Sequence, residues 1–162
     1  MRRLIPVLLL VGVAAPAAAL AFPVAAADGT LSVKRGIGFV RLTFNGSVVG
    51  RLGRGKVVIT DLSGGSAAGF DLWGCATKDI GDAYGTCTGN GIRFRAIGGR
   101  YNVAIKGSGI FLSAVGRGTV LLNGNGENLD LDDDGVYSLN DAPYRNLPNE
   151  PRLYPLAGTP NG

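Results

Sequence analysis

The sequence contains no histidine, and this absence removes several classes of function at once. Histidine is the commonest general base at neutral pH and the commonest metal ligand. Ser-His-Asp and Cys-His hydrolases, histidine-bound zinc and histidine-ligated haem are therefore excluded for this chain of 162 residues. Cysteine is also scarce: the chain has two, too few for a metal site built from thiolates.

Proline is absent between Val24 and Ala142, and frequent glycine leaves no window there that could carry the apolar stripe of a helix. Short runs in this region alternate apolar and polar residues, as in 40–44, 92–96 and 101–106. Since proline is kept out of central strands and a period of two marks a half-buried strand, the pattern predicts antiparallel β-structure.

Glycine is plentiful instead, with 27 residues, about 17% of the chain against a usual share of about 7%. Several glycines form Gly-x-Gly segments that resemble phosphate-binding loops. A phosphate loop must lead into a helix N-terminus, whereas each segment here leads into a predicted strand. We therefore interpret the segments, and Asn45-Gly46, as hairpin turns and bulges with positive φ. The segments are 36–38, 53–55, 107–109 and 116–118.

An internal repeat appears when the sequence is shifted by 63 residues. Residues 40–59 then overlay residues 103–122 without a gap, with six identities in 20 positions and the Gly-Arg-Gly segments aligned. The sequence thus predicts one all-β domain over residues 28–142, an antiparallel β-sandwich or small barrel built by internal duplication. The expected units are about 31–62 and 92–124, separated by an irregular segment, 63–91.

The first 27 residues have the layout of a secretory signal. Two arginines follow Met1, residues 4–20 are almost wholly apolar, and Ala25-Ala26-Ala27 offers a cleavage site before Asp28. A retained membrane anchor is the alternative, but two prolines interrupt the second half of the apolar stretch. We expect cleavage, no transmembrane segment afterwards, and a protein that is secreted, periplasmic or associated with the cell wall.

Charge is unevenly distributed along the expected mature chain. Residues 28–126 hold 12 basic and five acidic residues, whereas residues 127–162 hold two basic and seven acidic ones. Two interpretations remain open: the acidic segment folds back and cancels the charge, or the basic body presents a face to an acidic polymer such as an envelope polysaccharide.

Cys75 and Cys87 are predicted to form a disulfide, because export exposes them to an oxidising compartment. The segment around them, 63–91, also holds the single tryptophan, two other aromatic side chains and three aspartates. Aromatic faces beside carboxylates could stack on a sugar and hydrogen-bond to it; the alternative is that these rings cover the open end of the core. The candidate ligand-binding residues are Phe70, Asp71, Trp73, Tyr84, Arg93 and Arg95.

Residues 130–141 resemble the calcium loop of an EF-hand. Aspartate stands at loop positions 1, 3, 5 and 12 and glycine at position 6, although flanking helices and the usual glutamate at position 12 are missing. Calcium is therefore the one cofactor that the sequence suggests, with an acidic β-turn as the alternative. The candidate ligands are Asp130, Asp132, Asp134, Val136 and Asp141.

Residues 143–162 contain five of the eight prolines and are expected to form an extended tail. The composition, the Gly-Arg-Gly segments and the sequence Asp134-Gly135-Val136-Tyr137-Ser138 resemble small exported β-proteins of high-GC, actinobacterial-type bacteria. That resemblance implies export and β-structure, and it assigns no activity and no functional residue.

Three functional hypotheses follow. The first is a non-catalytic secreted β-domain with a structural or interaction role in the cell envelope or extracellular space. The second is a carbohydrate- or acidic-polymer-binding module, which would use Trp73, Tyr84 and the exposed arginines Arg41, Arg93 and Arg95 on an envelope polysaccharide or another envelope protein; nucleic acid is not an expected partner. The least favoured is a glycosidase using two carboxylates among Asp71, Asp79 and Asp82.

Overall fold

A computed structural model describes residues 27–64, 69–125 and 134–158. These residues form one antiparallel sheet of seven strands and no helix. The predicted all-β antiparallel class is confirmed, while the choice between a sandwich and a barrel stays a prediction. Most of the expected signal peptide, residues 1–26, lies outside the described residues.

Two very long strands dominate the sheet. They are β1, Gly29–Asp61, and β4, Tyr84–Gly124, with 33 and 41 residues. The shorter strands are β2 (Phe70–Trp73), β3 (Thr77–Ile80), β5 (Val136–Leu139), β6 (Arg145–Asn146) and β7 (Arg152–Leu156). The strand order is β2-β4-β1-β5-β6, and β3 and β7 also pair with β4.

The two long strands pair with each other along both of their edges. Val40 of β1 lies opposite Ile105 on one side and Leu122 on the other, and Ile105 also lies opposite Val57, whose other neighbour is Cys87. All five side chains are fully buried. Because a straight pair of strands can meet along one edge only, β1 and β4 must wind around one another to enclose this core.

Lines of glycine mark the places where the strands bend. Gly38, Gly107, Gly55 and Gly89 follow one another across adjacent strands at one level, and Gly124 lies beside Gly38. A second line runs across the sheet at another level and comprises Gly29, Gly116, Gly46 and Gly99. Without side chains, the strands can bend sharply at both levels while their hydrogen-bonded pairing continues.

The Gly-x-Gly segments and Asn45-Gly46 are therefore not hairpin turns, and that prediction was wrong. Each lies inside β1 or β4, which continue through it. Positive φ was correctly expected at several of them, and the register shift at Gly36 fits the expected bulge. Positive φ at glycine redirects the chain without ending the strand, so it bends β1 and β4 where a hairpin would reverse them.

The glycine bends divide the sheet into two regions. The first sheet region contains residues 30–34, 47–52, 92–97 and 111–115 with β2 and β5; the second contains residues 39–44, 56–61, 84–88, 101–106 and 119–123 with β3 and β7. Inward-facing side chains of both regions belong to one core cluster. The Phe70 ring, for example, fills the space that a Cβ on Gly85 would need.

The segments that overlay in the sequence also pair with each other. Val40 lies opposite Leu122, and Val103, the counterpart of Val40, lies opposite Ile59, the counterpart of Leu122. The middle of the overlay is out of phase, however, because Leu52 is 1% exposed and its counterpart Val115 is 48% exposed. The duplication itself stays a prediction.

Segments expected to be irregular contain further strands. Residues 63–91 include β2, β3 and the start of β4, and the proline-rich tail includes β6 and β7. Strand β7 pairs with Gly118–Leu122 and buries Leu156 completely. Pro155 is accommodated in β7 because, among the described strands, β7 pairs only with β4. No second neighbouring strand needs the N–H that proline lacks.

Candidate functional site

An open groove of about 660 Å³ lies on the outer face of the first sheet region. We call it the Trp73 groove. Its floor is formed by outward-facing residues of adjacent strands, with basic and aromatic side chains side by side. The residues that give it chemical character are Lys34, Arg51, Trp73, Arg93, Arg95 and Phe111.

Strand alternation decides which side chains reach the groove. Leu72 of β2 and Phe94 of β4 point into the core and are at most 2% exposed. Their neighbours Trp73, Arg93 and Arg95 consequently point outward, because successive side chains alternate between the faces of a strand. Trp73 is 45% exposed, so part of its indole is available to a ligand.

One row across the sheet contains most of the chemistry. Trp73 lies opposite Arg93, Arg93 opposite Arg51, and Arg51 opposite Phe111. The Arg51 guanidinium carbon lies 4.1 Å from the centre of the Phe111 ring, within cation–π range. An aromatic ring, two guanidinium groups and a second aromatic ring thus follow one another across one face of the sheet.

Arg95 connects this row to a carboxylate. Its Nε donates a 2.7 Å hydrogen bond to Asp71 Oδ2 from the directly opposed position on β2. Its guanidinium carbon is 5.6 Å from the centre of the Trp73 ring. The Asp71 carboxylate therefore neutralises Arg95 and holds it beside the indole.

The two arginines of the row lack such compensation. Neither Arg51 nor Arg93 forms an ion pair with any of the described residues. They lie directly opposite one another, an arrangement that costs free energy because like charges repel across a strand pair. The groove therefore presents positive charge that no described carboxylate neutralises.

A tyrosine from the expected tail lies beside the far end of the groove. Lys34 Nζ lies 4.1 Å from the centre of the Tyr144 ring, and the Tyr144 hydroxyl hydrogen-bonds to Ser32 Oγ at 2.9 Å. Hydrogen bonds with Lys34 and Ser32 lower the pKa of Tyr144 below its ordinary value. Tyr144 is 46% exposed and adds an aromatic group that the sequence did not indicate.

The structure brings four of the predicted ligand-binding residues together: Asp71, Trp73, Arg93 and Arg95. The other two lie elsewhere. Phe70 is 6% exposed and packs in the core, so its face is not available to a ligand. Tyr84 lies in the second sheet region, where its hydroxyl donates to Asp79 Oδ2 at 3.3 Å and the nearby charge of Asp79 raises the pKa of Tyr84.

Sequence reasoning missed Arg51 and Phe111. Both lie far along the chain from the segment around the disulfide, and only the two-sided pairing of β1 with β4 brings them into the Trp73 row. Nothing in the sequence indicated which side chains would lie opposite Arg51.

The predicted disulfide is present between Cys75 and Cys87, which joins the segment after β2 to β4. The carboxylates of the glycosidase hypothesis are dispersed: Asp71 lies in the first sheet region, Asp79 in the second, and Asp82 between β3 and β4.

The calcium loop falls largely outside the described residues, which include neither Asp130 nor Asp132. Asp134 is buried, Val136 begins β5, and Asp141 accepts a 2.9 Å hydrogen bond from Thr30 Oγ1. Within the described ranges, no three His, Cys, Asp or Glu side chains are grouped as a metal site would require. Calcium binding stays a prediction.

No family model, curated protein or solved structure matches this chain. Across the residues that the structure describes, there is no helix long and apolar enough to cross a membrane.

Proposed function

We propose that the protein is exported and acts as a non-catalytic binding domain in the cell envelope or extracellular space, with the Trp73 groove as a carbohydrate-binding surface. One observation carries the proposal: a partly exposed indole lies on the sheet in register with two arginines, Arg93 and Arg51, that no described carboxylate neutralises. The disulfide is compatible with an extracellular location.

The chemistry of the groove suits a sugar. The C–H face of a pyranose ring is apolar and can pack on the exposed indole, as other apolar groups do on aromatic faces. The arginine side chains beside the indole can donate hydrogen bonds to the hydroxyl or carboxylate oxygens of the sugar. Since Trp73, Arg93 and Arg51 stand on paired strands, their backbone is already ordered, and the entropy lost on binding would be mainly that of the side chains.

Glycan-array binding with wild-type protein and Trp73→Ala tests the proposal. We expect wild-type binding and a loss of about tenfold or more in the variant, since the aromatic platform is removed. Leu153→Ala is the matched control, because Leu153 is 67% exposed in the second sheet region and should leave binding unchanged. Thermal melting establishes that both variants fold.

Two results would contradict the carbohydrate proposal: silence of the wild-type protein on the array, or binding by Trp73→Ala that equals wild-type binding. The first would favour the alternative of a structural role or a protein partner in the envelope. The second would place the binding site away from the groove.

A further inference from the structure

A second pair of opposed cations lies on the outer face of the second sheet region. Lys56 of β1 is directly opposite Lys106 of β4, and both side chains are exposed. Neither forms an ion pair with a described residue. Together with Phe39, which lies opposite Lys106, they line a shallow depression of about 430 Å³.

This pair and the arginine pair of the Trp73 groove lie on either side of one glycine bend. Arg51 precedes Gly53–Gly55 in β1, and Lys56 follows it. Arg54 is exposed at the bend itself. Five residues of extended chain span at most about 18 Å, so Arg51, Arg54 and Lys56 lie close together along β1 across the bend. With their opposed partners they form a set of exposed cations that we call the basic path: Arg93, Arg51, Arg54, Lys56 and Lys106.

The composition of the two long strands strengthens this observation. Together β1 and β4 contain eleven basic residues and a single acidic one, Asp61 at the end of β1. The two pairs of facing cations, Arg51 with Arg93 and Lys56 with Lys106, destabilise the folded state because like charges repel across a strand pair. A bound polyanion would neutralise both pairs at once.

We infer that the ligand of the Trp73 groove is a linear acidic polysaccharide that crosses the Gly53–Gly55 bend and places further anionic groups against Lys56 and Lys106. This inference rests on the proposed function and adds the charge and the minimum extent of the ligand. One sugar ring stacks on Trp73, and acidic substituents pair with the basic path on both sides of the bend.

The aromatic side chains along the path favour a glycan over single-stranded nucleic acid. Nucleic-acid channels provide aromatic platforms on which successive bases stack. Here the Phe111 ring has Arg51 stacked on it at 4.1 Å, and Phe39 has the Arg41 guanidinium carbon at 5.4 Å. Trp73 also has a guanidinium nearby, that of Arg95 at 5.6 Å, but it is the most exposed of the three rings, at 45%. A single exposed ring fits one stacked sugar followed by charge pairing.

The test compares polygalacturonate, its neutral methyl ester, and the galacturonate dimer and trimer by titration calorimetry. We expect polygalacturonate to bind most tightly. The double variant K56Q/K106Q should weaken polygalacturonate binding by about tenfold and leave dimer and trimer binding unchanged, because only the long chain reaches beyond the bend. R145Q/R152Q removes the same net charge from exposed positions in β6 and β7 and serves as the control.

Each contrary outcome has a distinct meaning. If K56Q/K106Q binds polygalacturonate as wild type does, or if the methyl ester binds as tightly as the acid, the inference is wrong, while Trp73-dependent binding would keep the proposed function. If no glycan binds in a Trp73-dependent manner, both fail. Single-stranded DNA and phosphatidylglycerol vesicles are tested alongside, and tighter K56Q/K106Q-sensitive binding of either would overturn the inference.

Discussion

At the scale of single residues, the bends of the sheet depend on glycines that approach each other closely. A Cβ on Gly55 would collide with the Lys106 carbonyl oxygen, and a Cβ on Gly107 would collide with the Arg54 carbonyl oxygen. Both glycines have φ near +150°, at 144° and 151°. Each glycine faces the backbone of the opposite strand, so a side chain at either position would push the two strands apart.

Gly55→Ala is therefore expected to be strongly destabilising. The positive φ and the backbone collision together should lower the free energy of unfolding by about 2–4 kcal/mol. Gly91→Ala is the control, since Gly91 also has positive φ, at 67°, but has open space where the Cβ would lie; its cost should stay near about 1 kcal/mol. Urea unfolding of both variants measures the difference, and equal costs would show that the close approach is unimportant.

Tyr137 gives the protein a predicted sensitivity to alkali. Burial, followed by the 3.0 Å hydrogen bond that its hydroxyl donates to Tyr154, raises the pKa of Tyr137 from its ordinary value near 10 to about 12. Because the folded-state pKa is raised, the stabilisation is fully present below pH 10 and is lost as the pH rises through about 12. The loss should amount to about 3 kcal/mol at most.

Urea unfolding at pH 8 and at pH 11 measures this effect. Tyr137→Phe should be less stable than wild type at the lower pH by about 1 kcal/mol, since the hydrogen bond is lost, and its stability should fall less as the pH rises. Tyr144→Phe is the control, because the pKa of Tyr144 is lowered and its removal should not flatten the alkaline decline. A decline in Tyr137→Phe as steep as in wild type would contradict the assignment.

At the scale of elements, alternation predicted the strand interiors well and their continuity poorly. Every second residue of 40–44, 92–96 and 101–106 is apolar and buried in the core as expected, whereas Ala104, between two of them, is only partly buried. The Gly-x-Gly segments were interpreted as hairpin turns and bulges because such a segment has the same local preference in a hairpin turn and in a strand bend. Only the partner strand, which bends at the same level, distinguishes the two.

The glycine bends also explain why overlaid residues in the middle of the internal repeat differ in burial. Within the overlaid segments, the buried side chains change from even-numbered to odd-numbered residues near Gly53–Gly55 in β1. In β4 they change from odd-numbered to even-numbered residues near Gly107–Gly109, which is not the equivalent position of the overlay. Between the two reversals, Leu52 is buried while its counterpart Val115 is exposed. Similar residue types therefore do not establish similar burial when the bends differ.

Strand β7 shows that the C-terminal segment is part of the domain's packing. Leu156→Ala should lower the free energy of unfolding by about 2–4 kcal/mol, because Leu156 is completely buried. Leu153→Ala, in the same strand but 67% exposed, should change it by less than about 0.5 kcal/mol. Thermal or urea unfolding separates the two, and similar values would indicate that β7 does not dock in solution.

At the scale of the whole molecule, the Cys75–Cys87 disulfide is compatible with an extracellular protein. The basic path lies on the two long strands, and Asp28, the expected first residue after cleavage, accepts a 2.8 Å hydrogen bond from Arg117 Nε. The disulfide joins two segments of the domain.

Expression of the full chain in a high-GC Gram-positive host tests export. We expect mass spectrometry of the culture medium and cell wall to find a chain that begins at Asp28 with its disulfide closed. Leucine in place of Ala25 and Ala27 should block processing, because the peptidase needs small residues at its site. An unprocessed wild-type chain retained with the membrane would instead support the anchor alternative.

The sequence by itself determined the β-class, the disulfide and the outward orientation of Trp73's basic neighbours, because alternation and residue chemistry are local properties of the chain. Only the tertiary structure decided that the glycines are bends, that Phe70 is buried, and that Arg51 and Phe111 complete the groove. These features depend on which residue lies opposite which across strands many residues apart. That register is set by the winding of β1 around β4, for which the one-dimensional pattern holds no signal.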